Sequence, residues 1–269
     1  VGAAVKNDKG EWVLLNGNQT ALMFGYYLIT RWKELGKIQG KEYIVKTIVT
    51  TETIKTIAER NGVEIYDVYT GFKWIANVMR MNEGKKSYIG GGEESYGFLC
   101  EDFVRDKDAV SACVILAEIA AWAKDQGLSL YQLLQKIYVE YGFSKEKGIS
   151  VVKKGKSGAE EIEAMMKQFR QNPLQEIAGS KVSLFLDYAT LKGIDYLAGE
   201  TISLDMPTTS NVLQYFTEDG TKISIRPSGT EPKIKFYCEV HSTVKDASER
   251  PAADAAAAAK IEAINKASD

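Results

Sequence analysis

The sequence predicts an α/β protein in which a domain with a parallel sheet is followed by a smaller α+β domain with antiparallel strands. In the first half of the chain, short apolar segments alternate with segments of helical periodicity, which indicates a parallel sheet with right-handed crossovers. Beyond about residue 180, short β-rich stretches separated by turns replace this alternation, as is typical of antiparallel strands. The length of 269 residues is sufficient for about two such domains.

Residues 1–17 contain two strand-like segments around the turn sequence NDKG, and we interpret them as the remnant of a preceding domain. Residues 18–140 form the predicted α/β domain, where apolar spacing and helix stop signals such as Gly36 place the elements. The predicted helices cover residues 19–35, 52–60, 71–81, 108–125 and 129–141, and the predicted strands cover residues 43–50, 63–69 and 87–89. Ser129 can cap the last helix, because Gln132 stands at the capping-box position.

Residues 141–180 are predicted to be a connecting helical region, with a helix over residues 158–170 that ends near Pro173. Residues 181–269 then form the predicted C-terminal α+β domain. Its predicted strands cover residues 182–187, 202–204, 212–216, 223–226 and 234–240. Alternation in the last two strands places one face of each on a core and leaves their connecting loop at an open end. The alanine-rich segment 251–266 is predicted to be a packing helix, since Pro251 suits a first helical turn.

Composition narrows the class of protein. Hydrophobic residues make up 45% of the chain and charged residues 26%, which is ordinary for a globular protein. The net charge of −2 argues against a general nucleic-acid or membrane-surface binder, and no apolar run approaches the ~20 residues of a membrane span. Three cysteines without a Cys-x-x-Cys pair favour buried or incidental thiols in a reducing cytoplasm, and the single histidine excludes a multi-histidine metal site. We therefore expect a cytoplasmic protein without nucleic-acid or membrane partners.

The segment between the last two predicted strands, residues 225–235 with the sequence IRPSGTEPKIK, has the composition of a phosphate-binding loop. The Arg226 guanidinium offers a planar fork of donors that matches phosphate oxygens, and the hydroxyls of Ser228 and Thr230 add neutral donors. Gly229 allows backbone N–H groups to come close to an anion, and Lys235 adds a second positive charge. The alternative is a hairpin turn with an ordinary surface arginine, although turn chemistry does not require these residue types together.

Two further loops follow strands of the predicted parallel sheet. Their sequences are TGFKWI at residues 70–75 and GGGEESYG at residues 90–97. Ligands bind outside the carboxyl ends of parallel strands, so both loops are expected on one rim of the sheet. The carboxylate of Glu93 can accept hydrogen bonds from two neighbouring hydroxyls, as sugar recognition requires. The alternatives are a glycine turn followed by solvated glutamates, and a threonine at position 70 that caps the next helix.

Together and in this order, the three segments resemble motifs of the α-D-phosphohexomutase superfamily, specifically its phosphoglucomutase/phosphomannomutase group. The resemblance extends over most of the chain. It implies that Glu93 and Ser95 contact the hydroxyls of a hexose, and that Thr70 touches the substrate with Gly71 and Lys73 beside it.

The resemblance also assigns roles to residues that follow these loops. Lys107 falls where the family places a lysine at the reacting centre, although it could instead belong to an exposed charged turn before the next helix. The residues that would hold the phosphate at the non-reacting end of the sugar are Arg226, Ser228, Gly229 and Thr230. Lys235 stands where the family often has a basic residue that faces this phosphate.

The chain departs from the family pattern because it contains neither the phosphorylated serine loop nor the Asp-x-Asp-x-Asp-Arg metal loop. Since it also begins with Val1 rather than methionine, we expect it to be the C-terminal half of a mutase. The resemblance implies that the parent protein interconverts hexose 1-phosphate and hexose 6-phosphate through a bisphosphate. It further implies Mg²⁺ in the intact protein and glucose 1,6-bisphosphate as intermediate or activator.

The expected partners are a phosphorylated hexose and the N-terminal domains of the same protein. With no catalytic residue and no metal ligand of its own, this chain is expected to position substrate and to show no turnover alone. The alternatives are a non-catalytic phosphosugar-binding or regulatory module, and a structural α/β interaction domain, which would leave the phosphate loop unexplained.

Overall fold

The computed structural model describes residues 1–153, 155–229 and 231–267, which form two compact units. The first unit comprises Val1–Phe143 together with Thr243–Ala247. The second unit comprises Ser144–Ser242 together with the segment from Ser248 to the end of the chain.

The first unit contains a hairpin and a helix-covered sheet. Its elements are β1 (Ala3–Lys6), β2 (Trp12–Leu15), α1 (Gly17–Glu34), β3 (Glu42–Thr47), α2 (Thr53–Arg60), β4 (Glu64–Val68), α3 (Phe72–Asn82), β5 (Ser87–Gly92), β6 (Phe98–Cys100), α4 (Ala109–Asp125) and α5 (Leu130–Tyr141). The sheet order is β4-β3-β5-β6, in which β3 pairs in parallel with both β4 and β5 while β6 runs antiparallel to β5. The carboxyl ends of β3, β4 and β5 therefore lie along one edge of the sheet.

Helix caps and apolar packing hold the first unit together. Asn16 and Gln19 form a capping box at the start of α1, and Ser129 and Gln132 form the predicted one at the start of α5. A core between α3 and the sheet contains the buried residues Tyr43, Val45, Val68, Phe72, Ile75, Val78, Met79, Tyr88 and Leu99. This packing sets the position of α3, and hence of the loop that precedes it.

The second unit is built on one large sheet. Its elements are β7 (Phe143–Val152), α6 (Gly155–Gln171), β8 (Glu176–Ile177), β9 (Ser180–Asp187), β10 (Lys192–Asp195), β11 (Glu200–Ser203), β12 (Leu213–Thr217), β13 (Lys222–Pro227), β14 (Lys233–Ser242) and α7 (Arg250–Ala267). The strand order is β11-β10-β9-β12-β13-β14-β7, and β8 pairs with β9. The pairings from β11 through β14 are antiparallel.

The predicted fold class is confirmed, because a unit with parallel strands is followed by one with an antiparallel sheet. Among the described residues the second sheet has eight strands and the first has four. Four strands were not predicted, namely β6, β7, β8 and β10. Residues 143–152, which we placed in a connecting helical region, form β7 beside β14. The sequence of β7, FSKEKGISVV, has few apolar residues in its first half, so pairing with a neighbour rather than local pattern makes it a strand.

Candidate functional site

A hydrogen bond joins the loop after β4 to the loop after β5. The backbone N–H of Gly71 donates to Oε1 of Glu93 over 2.9 Å, and Glu93 is only 9% exposed. The backbone N–H of Glu93 in turn donates to the carbonyl of Gly97 over 2.8 Å, which closes the second loop on itself. The two loops that the sequence placed on one rim are therefore in direct contact. The second carboxylate oxygen of Glu93 and the remaining lone pairs can accept further hydrogen bonds.

The glycine at position 71 is required by the backbone. Gly71 has a φ of +110° and forms the N-cap of α3 without a side-chain cap bond. The alternative that Thr70 caps this helix is therefore wrong. Any residue with a Cβ would be strained at position 71, and a shifted backbone would carry the N–H group away from Glu93.

The three glycines before Glu93 serve packing rather than a turn. Gly90, Gly91 and Gly92 lie within strand β5, which is longer than the predicted residues 87–89. A Cβ on Gly91 would lie 2.6 Å from the carbonyl oxygen of Val45, and one on Gly92 would lie 2.4 Å from the ring of Phe98. Close approach of neighbouring strands and an aromatic ring therefore explains these glycines. The alternative of a glycine turn is wrong for residues 90–92.

Lys107 reaches the same region through Gly97. A Cβ placed on Gly97 would lie 2.6 Å from Cδ of Lys107 and 3.2 Å from Oε2 of Glu93, so both side chains lie against this glycine. The ammonium of Lys107 lies 5.0 Å from the centre of the Phe72 ring and 2.8 Å from a carboxylate oxygen of Asp106. The structure thus places Lys107 near Glu93, while the cap of α4 is Asp108.

The other residues predicted for this site are more exposed than Glu93. Thr70 is half-buried, and Ser95 and Lys73 are exposed. The ammonium of Lys73 lies 5.1 Å from the centre of the Trp74 ring. Among the described residues, no hydrogen bond connects Ser95 or Lys73 to Glu93. Gly71, Glu93 and Lys107 are therefore the predicted residues that the structure brings together.

The sequence analysis did not identify Lys46, a buried lysine that lies next to these loops. Lys46 is 1% exposed, and its ammonium lies 2.9 Å from Oε1 of Glu52 and 2.6 Å from Oδ1 of Asp67. Burial opposes the charged form, but the attraction of Asp67 and Glu52 outweighs it and raises the pKa of Lys46 above its usual value. In the sheet, Lys46 pairs with Gly92, directly before Glu93. The signal that could have identified Lys46 is a single lysine within a strand that is otherwise mostly apolar and predicted to be buried.

Two contacts with neighbouring elements hold the loop after β5 in place. The hydroxyl of Thr47 donates to Oε2 of Glu94 over 3.3 Å. A Cβ on Gly17 would lie 1.7 Å from the carbonyl oxygen of Glu94, so the first turn of α1 lies directly against the loop backbone. The position of the loop is therefore set by β3 and α1 as well as by β5.

The predicted phosphate loop, in the second unit, connects β13 to β14. Arg226 pairs directly with Lys235 in the antiparallel register, so the two side chains lie on the same face of the sheet. Both are half-buried. Two like charges in this arrangement repel each other, and a bound anion would relieve that repulsion. Among the described residues, Arg226 forms no ion pair.

Backbone hydrogen bonds shape the loop. The N–H of Ser228 donates to the carbonyl of Lys233 over 2.7 Å, and the N–H of Glu231 donates to Oγ of Ser228 over 3.3 Å. Gly229 is exposed, and a Cβ there would meet nothing within 4 Å. The space around position 229 therefore does not require a glycine. Thr230, the remaining predicted member, lies outside the described residues.

Glu231 neutralises one of the cations near the loop. Its carboxylate lies 2.9 Å from the ammonium of Lys233. The hydrogen bond from Lys233 lowers the pKa of Glu231 below its usual value, with a smaller contribution from the charge of Lys235. Glu231 therefore remains ionised at neutral pH and holds Lys233 at the edge of the loop.

A cavity of about 610 Å³ borders this loop. Its walls come from the loop and from helix α6, and its lining residues include Ile162, Met166, Asn211, Ser228 and Gly229. The volume is within the range of small-molecule sites, whose walls are mostly apolar with a few polar groups. Of the residues predicted to bind phosphate, Ser228 and Gly229 thus lie at a concave surface, whose lining also includes the acidic residues Glu163 and Glu231.

Neither a metal site nor a membrane span occurs in the part of the chain that the structure describes. No group of three or more His, Cys, Asp or Glu side chains there could hold a metal ion. No helix among these residues has both the length and the apolar character that crossing a membrane requires.

Comparison with known sequences identifies both units. Residues 16–141 match the sequence model of phosphoglucomutase/phosphomannomutase α/β/α domain III, and residues 150–257 match that of the C-terminal domain. A phosphoglucomutase of Staphylococcus aureus strain MRSA252 is 38% identical over 237 residues, which are 88% of this chain and 42% of the relative. The chain therefore spans less than half the length of the curated relatives it matches.

Solved structures show the same fold. The exocytosis-sensitive phosphoprotein parafusin of Paramecium has a TM-score of 0.58 at 16% identity, over 88% of this chain and 38% of that one. A phosphoglucomutase/phosphomannomutase family protein of Burkholderia thailandensis has a TM-score of 0.57 at 16% identity, over 98% of this chain and 43% of that one.

Proposed function

The chain belongs to the phosphoglucomutase/phosphomannomutase group of the α-D-phosphohexomutase superfamily, and we propose that it is the substrate-positioning part of a phosphohexomutase. The parent protein interconverts hexose 1-phosphate and hexose 6-phosphate through a bisphosphate. In this proposal the first unit binds hexose hydroxyls and the second unit binds a phosphate group. The chain itself carries no group that transfers the phosphoryl.

The hydrogen bond from Gly71 to Glu93 is the observation on which the proposal mainly rests. It orients a nearly buried carboxylate at the carboxyl edge of a parallel sheet, with Lys107 beside it. A carboxylate held in this way accepts hydrogen bonds from hydroxyls without first losing side-chain freedom. Thr70, Lys73 and Ser95 are proposed as further contacts to the sugar on the family pattern.

The cross-strand pair of Arg226 and Lys235 supports the phosphate-binding role of the second unit. Two half-buried cations on one face repel each other unless an anion lies between or above them. Arginine can bind two phosphate oxygens at once, and Ser228 and Gly229 lie next to it at the cavity. Thr230 is included in the proposal on the family pattern alone.

The phosphoryl transfer itself is assigned to other parts of the parent protein. There, a phosphoserine would donate its phosphoryl group to the free hydroxyl of the hexose monophosphate, and the opposite phosphate of glucose 1,6-bisphosphate would return to the serine. The family pattern places the Mg²⁺ ligands in those other parts as well, and we therefore assign the ion to them in this proposal. Anchoring a remote phosphate and the ring contributes to rate by orienting the reacting hydroxyl.

Calorimetric titration of this chain with glucose 1,6-bisphosphate tests the proposal. We expect Glu93→Ala and Arg226→Ala each to weaken binding by about ten- to a hundredfold, since hydrogen bonds to charged groups contribute about 1.5–3 kcal/mol. Lys192 is an exposed cation on β10, in the same sheet as Arg226. The variant Lys192→Ala is therefore the matched control and should leave binding unchanged.

Two results would contradict the assignment. Binding that neither substitution weakens would mean that the sites are wrongly placed. Measurable turnover by this pure chain would overturn its purely positioning role. A parent protein that binds the bisphosphate without interconverting the monophosphates would instead support a phosphosugar-binding or regulatory module.

A further inference from the structure

Helix α4 exposes an apolar face that the packing of the first unit does not use. Its buried residues are Ala112, Ile119 and Ala123, which lie on one side of the helix. The exposed apolar residues on the opposite side recur at helical spacing and are Val110, Cys113, Val114, Ala117 and Ala121, while the charged residues Glu118 and Lys124 border them. Val110 is 74% exposed and Val114 is 60% exposed.

The segment that leads into α4 also exposes apolar side chains. Phe103 is 60% exposed and Val104 is 40% exposed. The nearest acidic residue on α4, Glu118, accepts a hydrogen bond from the hydroxyl of Tyr27 within the unit. A helix that is apolar on nearly every side is normally buried on every side, and clustered exposed apolar residues mark an interaction surface.

We propose that the α4 face (Val110, Cys113, Val114, Ala117 and Ala121, with Phe103 and Val104) docks against a part of the parent protein outside this chain. The curated relatives have more than half of their length beyond the region that this chain matches, so such a part exists in them. The seven residues named here are uncharged, so the partner surface opposite them is apolar. The inference rests on the proposed function only in requiring a longer parent protein.

The size of the face favours a covalently linked partner over a second copy of the chain. From Val110 to Ala121 the face is about 17 Å long at 1.5 Å per residue, and a helix with its side chains is about 10 Å wide. The helical part therefore covers on the order of 200 Å², while a stable dimer buries about 800 Å² per partner. A partner in the same polypeptide needs less area, because its effective concentration is in the millimolar range.

Cys113 offers a direct probe of this face. It is the exposed member of three free thiols, while Cys100 and Cys238 are buried. Burial raises the pKa of Cys100 to about 12 and that of Cys238 to about 11, so both react slowly at pH 8. N-ethylmaleimide labelling at pH 8, mapped by mass spectrometry, then reports the accessibility of Cys113 in this chain and in the full-length parent protein.

We expect Cys113 to be labelled at least tenfold more slowly in the parent protein than in this chain. Equal rates would overturn the proposal. Labelling of this chain that slows as its concentration rises, together with a dimer in analytical ultracentrifugation, would also overturn it in favour of a second copy.

A pair of matched variants separates docking from a general effect on folding. Val114→Lys should restore fast labelling of Cys113 in the parent protein while leaving the melting temperature of the isolated chain unchanged. Leu197→Lys, at a residue that is 73% exposed in the second unit, should change neither quantity. Protection of Cys113 that survives Val114→Lys would contradict the proposal. Mutase assays of the parent are read separately, so a parent without turnover but with protected Cys113 would refute only the proposed function.

Discussion

The two ends of the hairpin formed by β13 and β14 carry opposite kinds of charge pair. At the end away from the loop, Lys222 faces Glu239 with 3.1 Å between ammonium and carboxylate, and their side chains are 2% and 5% exposed. At the loop end, Arg226 faces Lys235 in the same register, and both are half-buried. One strand pair thus carries a neutralised pair and a repelling pair four residues apart.

The difference between the two pairs distinguishes a structural role from a proposed binding role. A buried pair of opposite charges is needed once either charge is present, because an unpaired buried charge is very costly. Two cations across a sheet lower stability, so the fold has no use for them. Under the proposed function, an anion that binds at this loop would account for the pair.

Breaking the neutralised pair should have the largest effect. Lys222→Met removes the cation that faces the buried carboxylate of Glu239, and the free energy of unfolding should fall by about 3–5 kcal/mol. Urea unfolding followed by circular dichroism measures the change. Lys192→Met, at an exposed position of the same sheet, is the control and should cost less than about 0.5 kcal/mol. A loss below about 1 kcal/mol in Lys222→Met would show that the pair is not needed.

Adding an anion should cause the next largest change in the free energy of unfolding. Inorganic phosphate at about one hundred times its Kd should stabilise the chain by about 2.7 kcal/mol. In Arg226→Ala, a tenfold weaker Kd reduces this gain to about 1.4 kcal/mol at the same concentration. Urea unfolding with phosphate or with chloride at equal ionic strength provides the comparison. The same gain in both proteins would place the anion elsewhere.

Reversing one charge of the repelling pair should make a smaller change of opposite sign. Lys235→Glu places opposite charges across the strands and should raise the free energy of unfolding by about 0.2–1 kcal/mol, while phosphate no longer stabilises the protein. Lys233→Glu is the contrast, because it breaks the existing pair with Glu231 and should not raise stability. If Lys235→Glu lowered stability and kept phosphate binding, the repulsion argument would be wrong.

The smallest effect is expected at the loop glycine. Gly229→Ala meets no neighbouring atom and should raise stability by only about 0.4 kcal/mol through the unfolded state. Gly71→Ala, at a φ of +110°, should instead lower stability by about 1–3 kcal/mol. Thermal unfolding of both variants measures the contrast. A marked loss of stability in Gly229→Ala would mean that the fold, rather than a ligand, requires this glycine.

Much of the fold could be predicted because its signals are local. The capping box of Ser129 and Gln132, the helical spacing of α1 and α4, and the alternation in β13 and β14 depend on residues close together in the chain. Strand β7 could not be predicted in this way, since its polar first half becomes a strand only by pairing in the sheet.

For the candidate site, the sequence by itself determined which residue types are available, including a carboxylate after a strand and an arginine in a turn. Tertiary structure decided which of them meet. Gly71 and Glu93 are 22 residues apart, and only the parallel pairing of their strands with β3 brings them within hydrogen-bonding distance. The same holds for Lys46, whose partners Glu52 and Asp67 become its neighbours only when the sheet forms. Local preferences act over a few residues, whereas contacts across a sheet exist only once distant strands have paired.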